Sequence, residues 1–364
     1  MARPIHRRAF GKATAALGVT SLPLLGAAGR ACAASGAETP SVAASLDVRP
    51  YQLMCIVCRI GQGHTADLGS ARLSEILAAV REDPMRPVRL RCHADSVYRY
   101  QNPGREDDTP EGELLNEKRD LDILQKLGLV PGDTRPAVDM FERLLKNIPT
   151  AMGICGYPTT TSEAWQGCSR AASGDYETGH SLGIGAVIPL RDKEEKARAK
   201  KASVEAIYRA DTLLIRPHHL MCMSCFHGGK SELKPIEEDN LFEAIDVVQK
   251  NPDMPIQLVR GCCVICPPCS RYDPKSSFCL GGRSMALRDQ KKDLEVLQRL
   301  GLQYGDTLPA RELFTLLFER IPSTRLVCAW GDGEARSPEW SVCGDPEGRE
   351  QYERARDAKL GILD

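Results

Sequence analysis

The chain is written twice. Residues 46–58 (LDVRPYQLMCIVC) return as residues 213–225 (LLIRPHHLMCMSC), and residues 119–136 (RDLDILQKLGLVPGDTRP) return as residues 292–309 (KDLEVLQRLGLQYGDTLP). Ile148-Pro149 returns as Ile321-Pro322, and the ending Cys155…Trp165-x-x-Cys168 returns as Cys328…Trp340-x-x-Cys343. Matches this dense, in the same order, point to an internal duplication. The 364 residues, 42% of them hydrophobic, suffice for two ordinary cores. The expected organisation is two homologous small domains, a first repeat at 45–190 and a second at 211–364. A charged helical linker at 191–210 joins them. Its run RDKEEKARAKK interleaves both signs, which reads as a solvated helix rather than a binding patch.

Each half carries the same local pattern. A short strand (46–48; 213–215) enters an Arg-Pro turn and a Cys-x-x-Cys pair, followed by a glycine-bearing loop (Gly61, Gly63; Gly228, Gly229). Apolar residues at three- and four-residue steps predict helices at 70–82 and 237–250. These stop at Asp83-Pro84 and Asn251-Pro252, because a residue before proline is pushed out of the α region. Strands are expected at 88–90 and 256–259. Helices through 121–127 and 294–300 should end on Gly128 and Gly301. Thr134 and Thr307 are expected to cap the next helices, with Pro136 and Pro309 in the first turn. The fold class is α+β, mostly helical.

The N-terminus predicts a compartment. His6-Arg7-Arg8-Ala9-Phe10-Gly11-Lys12 resembles the twin-arginine export consensus, and an apolar run broken by Pro23 follows it. Residues 1–35 therefore read as a twin-arginine signal peptide with the export machinery as partner, and no membrane span remains after its removal. The expected location is periplasmic or otherwise exported. Lys plus Arg is 48 against 49 for Asp plus Glu, which gives no electrostatic case for nucleic acid. Twin-arginine export carries folded proteins, often with a cofactor already inserted.

The 15 cysteines are the chemical anomaly. Four occupy equivalent places in both halves: Cys55, Cys58, Cys155 and Cys168, then Cys222, Cys225, Cys328 and Cys343. Sulfur-only sets of four suit zinc or an iron–sulfur cluster. In the first half they read as a second metal site or as disulfides tying the two ends together. The second half adds Cys262, Cys263, Cys266, Cys269 and Cys279 within RGCCVICPPCSRYDPKSSFC. Cys263, Cys266 and Cys269 fall on a Cys-x-x-Cys-x-x-Cys spacing that ferredoxin-type clusters use. The next cysteine follows only at 279, without an adjacent proline, so zinc competes. His218 and His219, replaced by Tyr51 and Gln52 in the first half, read as ligands or as donors to a sulfur. Trp165 and Trp340 read as core anchors or sulfur shields. No nucleophile elbow, phosphate loop, His-Glu-x-x-His or dinucleotide fingerprint occurs.

The residues RPHHLMC (216–222), VICPPC (264–269), Cys279 and the Cys328…Trp340-x-x-Cys343 ending resemble a bacterial and archaeal cysteine-rich family, domain-of-unknown-function family 1284. That resemblance spans 212–343 and, more weakly, 45–168. It implies an iron–sulfur binder with Cys222, Cys266, Cys269, Cys279, Cys328 and Cys343 as ligand candidates. The chain departs from the pattern at Cys262 and Cys263, in the stretched segment 329–339, and in the first half, which reads as a structural partner.

Three functions stay open. The first is an exported protein with an iron–sulfur cluster in the second repeat, for electron transfer to a redox partner protein or for sensing. The second is a zinc-stabilised binding module. The third is a disulfide-rich or thiol–disulfide redox protein using Cys55–Cys58 or Cys222–Cys225. The cluster reading takes Cys222, Cys225, Cys263, Cys266, Cys269, Cys279, Cys328 and Cys343 as one converging pocket.

Overall fold

A computed structural model describes residues 44–362, apart from 190, 282–285 and 343–347. The expected export signal with Cys32, and the candidate ligand Cys343, lie outside the described residues. In the first repeat β1 (Leu46–Val48) runs into α1 (Pro50–Gly61), then α2 (Ala71–Glu82), β2 (Pro87–Leu90) and the short α3 (Asp95–Tyr98). After these come α4 (Glu113–Leu127), β3 (Thr134–Pro136), α5 (Ala137–Asn147), α6 (Asp175–Ser181) and α7 (Ile184–Val187). The linker helix α8 (Lys193–Arg209) leads to β4 (Leu213–Ile215), α9 (Pro217–Gly228), α10 (Leu241–Lys250) and β5 (Pro255–Leu258). A hairpin of β6 (Tyr272–Asp273) and β7 (Phe278–Cys279) precedes α11 (Leu287–Leu300), β8 (Thr307–Pro309), α12 (Ala310–Arg320) and α13 (Gly348–Asp357). The class is α+β and mostly helical, as expected.

The two sheets have one design. β1 pairs parallel with β2 (Leu46 opposite Val88), and β2 pairs antiparallel with β3 (Pro87 opposite Pro136). β4 pairs parallel with β5 (Leu213 opposite Ile256), and β5 antiparallel with β8 (Pro255 opposite Pro309). Parallel neighbours need a long crossover, which α1 with α2 and α9 with α10 supply. Each repeat keeps its own core, one around Leu53, Ile76, Leu77, Val88 and Phe141, the other around Leu220, Ile245, Val248, Ile256 and Phe314. Each such side chain contributes about 1.5–3 kcal/mol when fully buried. The repeats nevertheless pack together as one unit, Ala43–Asp364.

Several local expectations are corrected. The Cys-x-x-Cys pairs sit within helices, not after a turn. Pro50 and Pro217 occupy first-turn positions where no amide hydrogen is needed, so the helix starts at the proline itself. Thr134 and Thr307 do not cap helices. They lie in β3 and β8, whose pairing with β2 and β5 is non-local, and Pro136 and Pro309 take the cap positions instead. Helix α10 starts at Leu241 rather than 237, because Asp239 Oδ1 accepts the Leu241 amide hydrogen at 2.8 Å in a tight turn. Helix α2 starts after Ser70, its N-cap, and β2 and β5 each begin one residue earlier than expected. Gly128 and Gly301 end α4 and α11 with φ of 68° and 71°, the left-handed conformation expected of them.

Helices α6 and α13 had no sequence expectation. α6 crosses α1 and α13 crosses α9, each so closely that glycine is required. A Cβ on Gly61 would overlap the Asp175 carbonyl oxygen, and one on Gly228 would overlap that of Gln351. In both crossings a buried tyrosine locks the end of the preceding segment. Tyr176 donates to the Ile148 carbonyl and Tyr352 to the Ile321 carbonyl, each at 2.8 Å.

Candidate metal centre

The site starts from the first turn of α9. Arg216 at the N-cap is buried and donates from Nε (3.0 Å) and Nη2 (2.6 Å) to Asp293 Oδ2 on α11. Asp293 Oδ1 accepts the His218 amide hydrogen at 3.0 Å and lies 2.8 Å from His218 Nδ1. Burial opposes ionisation of Asp293, but the His218 bond and the charges of His218 and Arg216 hold its carboxyl below the usual range. The first turn of α9 is thereby tied to α11, with one imidazole nitrogen already engaged. The His219 ring stands edge-on to His218, centroids 4.7 Å apart. Cys222 follows His219 by three residues and so shares its face of the helix.

The cysteine-rich loop turns at each sulfur-bearing residue. The amide of Cys266 donates to the Cys263 carbonyl (3.0 Å), that of Cys269 to Cys266 (2.9 Å), and that of Tyr272 to Cys269 (3.1 Å). Two amides also point at sulfurs: Cys263 N to Cys266 Sγ and Arg271 N to Cys269 Sγ, both at 3.4 Å. The β6–β7 hairpin folds back and sets Cys279 opposite Tyr272. From outside, Arg191 Nη1 donates to the carbonyls of Pro267 (2.6 Å) and Cys269 (2.9 Å), while Asn240 Nδ2 donates to Val264 (2.8 Å). The linker run is therefore not purely solvated, because its first residue clamps the loop.

These pieces enclose a cavity of about 690 Å³ lined by Cys222, Cys262, Cys266, Cys269, Cys279 and His219. Hydrogen bonds from the Cys262 and Cys263 thiols draw the Cys266 thiol far below its ordinary pKa despite burial. Cys262 is raised by that same bond and by burial, and Cys263 by burial and then the bond. Burial, with the Asp289 charge, pushes Cys279 up to about 11. Burial and the neighbouring His218 push His219 down to about 3, so its ring is neutral near pH 7 and a nitrogen lone pair is open to a metal. His219, Cys263 and Cys266 offer ligand atoms all within 4.8 Å of one another, as do His218, His219 and Cys222. These Cys/His groups can bind a metal ion. Searches of known protein families, curated proteins and solved structures find no match to this chain.

The structure sorts the expected residues. Cys222, Cys266, Cys269 and Cys279 face one cavity. Cys263 stands behind its wall, with Sγ 3.1 Å from His219 Nδ1 and 4.0 Å from Cys266 Sγ. Cys225 and Cys328 do not line the cavity, in contrast to the single pocket expected. Both pack on the second core, where both act on the Tyr352 hydroxyl. Cys225 keeps to the same side of α9 as Cys222 but sits about 4.5 Å further along the helix axis, beside Tyr352 of α13. Trp340 is not a core anchor: it is 38% exposed, and its carbonyl accepts from Trp330 Nε1 at 2.6 Å.

Cys262 lines the cavity and was not among the expected ligands, although the doubled Cys262-Cys263 was visible. Glu142 also lines it and had no sequence signal, since it comes from α5 of the first repeat and pairs with Arg271 at 2.5 Å. In the first repeat the place of the histidines is filled by Tyr51, whose ring lies under Arg49 (5.3 Å) and Arg119 (4.4 Å). Its four cysteines gather elsewhere. The Cys168 amide donates to the Cys155 carbonyl at 2.8 Å. Burial pushes Cys55 up to about 12 and Cys58 to about 11, and the charge of Cys168 raises both.

Proposed function

We propose that the second repeat carries an iron–sulfur cluster in the cysteine-lined cavity, and that the protein is exported by the twin-arginine machinery to transfer electrons to a redox partner protein or to sense redox state. The observation that carries this reading is the convergence of five cysteines from α9, the loop and the hairpin on one cavity. Iron–sulfur clusters are held by such thiolates. Cys222, Cys266, Cys269 and Cys279 are the candidate ligands, with Cys262 beside them. When bound, the cluster would supply one-electron redox chemistry.

The residues around the cavity fit that cargo. Amide hydrogens aimed at the Cys266 and Cys269 sulfurs stabilise thiolate charge, which is how a protein raises a cluster's potential. Arg216, on the cavity wall, supplies a buried positive charge, and Asp293 keeps it in place. Arg191 and Asn240 fix the loop carbonyls so that the sulfurs keep their positions.

Zinc is the second reading, favoured by the compact His219, Cys263, Cys266 group, which resembles a zinc donor set with one position to fill. Anaerobically purified full-length protein decides between them. Iron with equimolar acid-labile sulfide and a visible absorption band supports the cluster. Colourless protein with stoichiometric zinc replaces it with the binding module.

A further inference from the structure

We propose that the first repeat holds a metal centre of its own, a single thiophilic divalent cation such as zinc bound by Cys55, Cys58, Cys155 and Cys168 beside the buried cation Arg119. The inference does not depend on what fills the second repeat. Cys55 and Cys58 lie on consecutive turns of α1, and both pack on the same core as Cys155. Cys155 and Cys168 are held together by the backbone bond between them and by Gly156 and Gly167, where the two chain segments touch; a Cβ on Gly167 would press on the Gly156 Cα at 2.8 Å. The two pairs, one helical and one in a loop, are near enough that Cys55, Cys58 and Cys168 all act electrostatically on Cys155.

The second observation is the group behind them. Arg119 is 2% exposed, yet its Nε has no hydrogen-bond partner among the described residues. A bare guanidinium nitrogen in a protein interior is costly unless negative charge stands nearby. Glu111 pairs with Arg119 at 3.6 Å and Asp120 also feels its charge, and Glu111 Oε2 too lacks a hydrogen-bond partner among the described residues. Arg119 acts on the Cys55, Cys155 and Cys168 sulfurs alike. Four thiolates around a divalent cation leave a net charge of about −2, which an adjacent buried cation offsets. Arg119 Nη2 already donates to Thr109 and Asn116 and its face lies on Tyr51, so Nε is the atom that four neutral thiols would leave without a negative counterpart. The second repeat buries Lys292 at the matching position, 2% exposed, so both repeats place a cation there.

Full-length protein with Cys266→Ser and Cys269→Ser, which disables the second-repeat cavity, should be titrated with Co²⁺ as probe. We expect about one equivalent to bind with the charge-transfer and d–d bands of tetrahedral thiolate coordination. Adding Cys55→Ser and Cys155→Ser should abolish those bands. In the otherwise wild-type chain the same two substitutions should remove about one zinc per chain and leave iron and sulfide unchanged, which separates this site from the cluster. Because those variants can misfold, alkylation of the wild-type protein gives an independent readout. The four thiols should resist modification until a chelator is added, as mapped by mass spectrometry. Disulfides among the four in purified protein, or alkylation unaffected by chelator, would overturn the proposal.

Discussion

Arg216 and Asp293 form a fully buried pair that joins α9 to α11, and Arg49 and Asp120 form the same pair between α1 and α4. In both repeats the aspartate also accepts the amide hydrogen two residues after the arginine, from His218 or from Tyr51, at 3.0 Å. Removing one partner leaves an uncompensated buried charge, which costs about 3–5 kcal/mol. Asp293→Asn should therefore lower the unfolding free energy of the second repeat by that order, measured by denaturant titration. A loss under about 1 kcal/mol would mean that the pair behaves as a surface salt bridge.

Arg191 is the test of whether the linker merely connects. Its guanidinium makes two bonds to loop carbonyls and stacks over Tyr272 at 5.4 Å. Arg191→Ala should remove about 1.5–3 kcal/mol of local stabilisation, the range for hydrogen bonds to charged groups. Hydrogen exchange should accelerate at residues 266–272, with the core of the first repeat unaffected. Unchanged exchange in the loop would return Arg191 to the solvated linker.

The repeat made much of this legible beforehand. Strands, helix ends at Gly128 and Gly301, and the cysteine-rich loop all follow from local pattern and chain repetition. The failures are non-local. Nothing near Thr134 announces that its backbone pairs with β2, and nothing near Glu142 announces Arg271, which is brought to it only by packing of the two repeats. Cys225 leaves the cavity because it lies one turn further along α9, where α13 and its Tyr352 cover it, and nothing local to the Cys-x-x-Cys pair announces that helix. The α6 and α13 helices did leave a trace. Tyr176 and Tyr352 each follow closely on their repeat's final cysteine, in short polar segments that look like loop.

Close helix crossing gives a third prediction. Gly179 on α6 packs against α1 so tightly that a Cβ would overlap the Val57 carbonyl oxygen. Backbone, not a flexible side chain, is the obstacle, so the helices must separate. Gly179→Ala should destabilise by at least the roughly 1–3 kcal/mol of ordinary overpacking. Its thermal midpoint should fall, whereas Gly174→Ala, which has no atom nearby but a φ of 80°, should suffer only from backbone strain.

Acid lability should localise in part to the β1–β2 pair. Asp47 accepts from Arg89 Nε at 2.7 Å and from Arg91 Nη1 at 3.1 Å. The Arg89 bond, working against burial and aided by Arg91, holds its carboxyl below the usual range. A depressed folded pKa means stability present above the unfolded value of about 3.9 and lost as pH falls through the folded value. The pair is substantially exposed, so its contribution is at most about 1 kcal/mol. Asp47→Asn should be less stable than wild type at pH 7, and the difference should shrink as pH falls below the unfolded value of about 3.9. A constant difference across that range would show that the aspartate acts through packing.

The last prediction concerns the contact that brings the first repeat to the cavity. Glu142 on α5 pairs with Arg271, and the Arg271 amide donates to Cys269 Sγ. Helix α5 is anchored again one residue on, where Arg143 binds Glu339 of the second repeat along with Asp139. Breaking this part-buried pair alone should cost little global stability, on the order of 1 kcal/mol. Its effect should be local, because Arg271 is then free to leave the rim and admit solvent to the sulfurs. Glu142→Gln should thus keep the wild-type unfolding midpoint while metal is lost faster to a chelator under anaerobic conditions. Glu142→Asp, which retains the charge, should recover part of the wild-type rate. Equal loss rates in all three proteins would reduce the first repeat to a scaffold with no part in guarding the site.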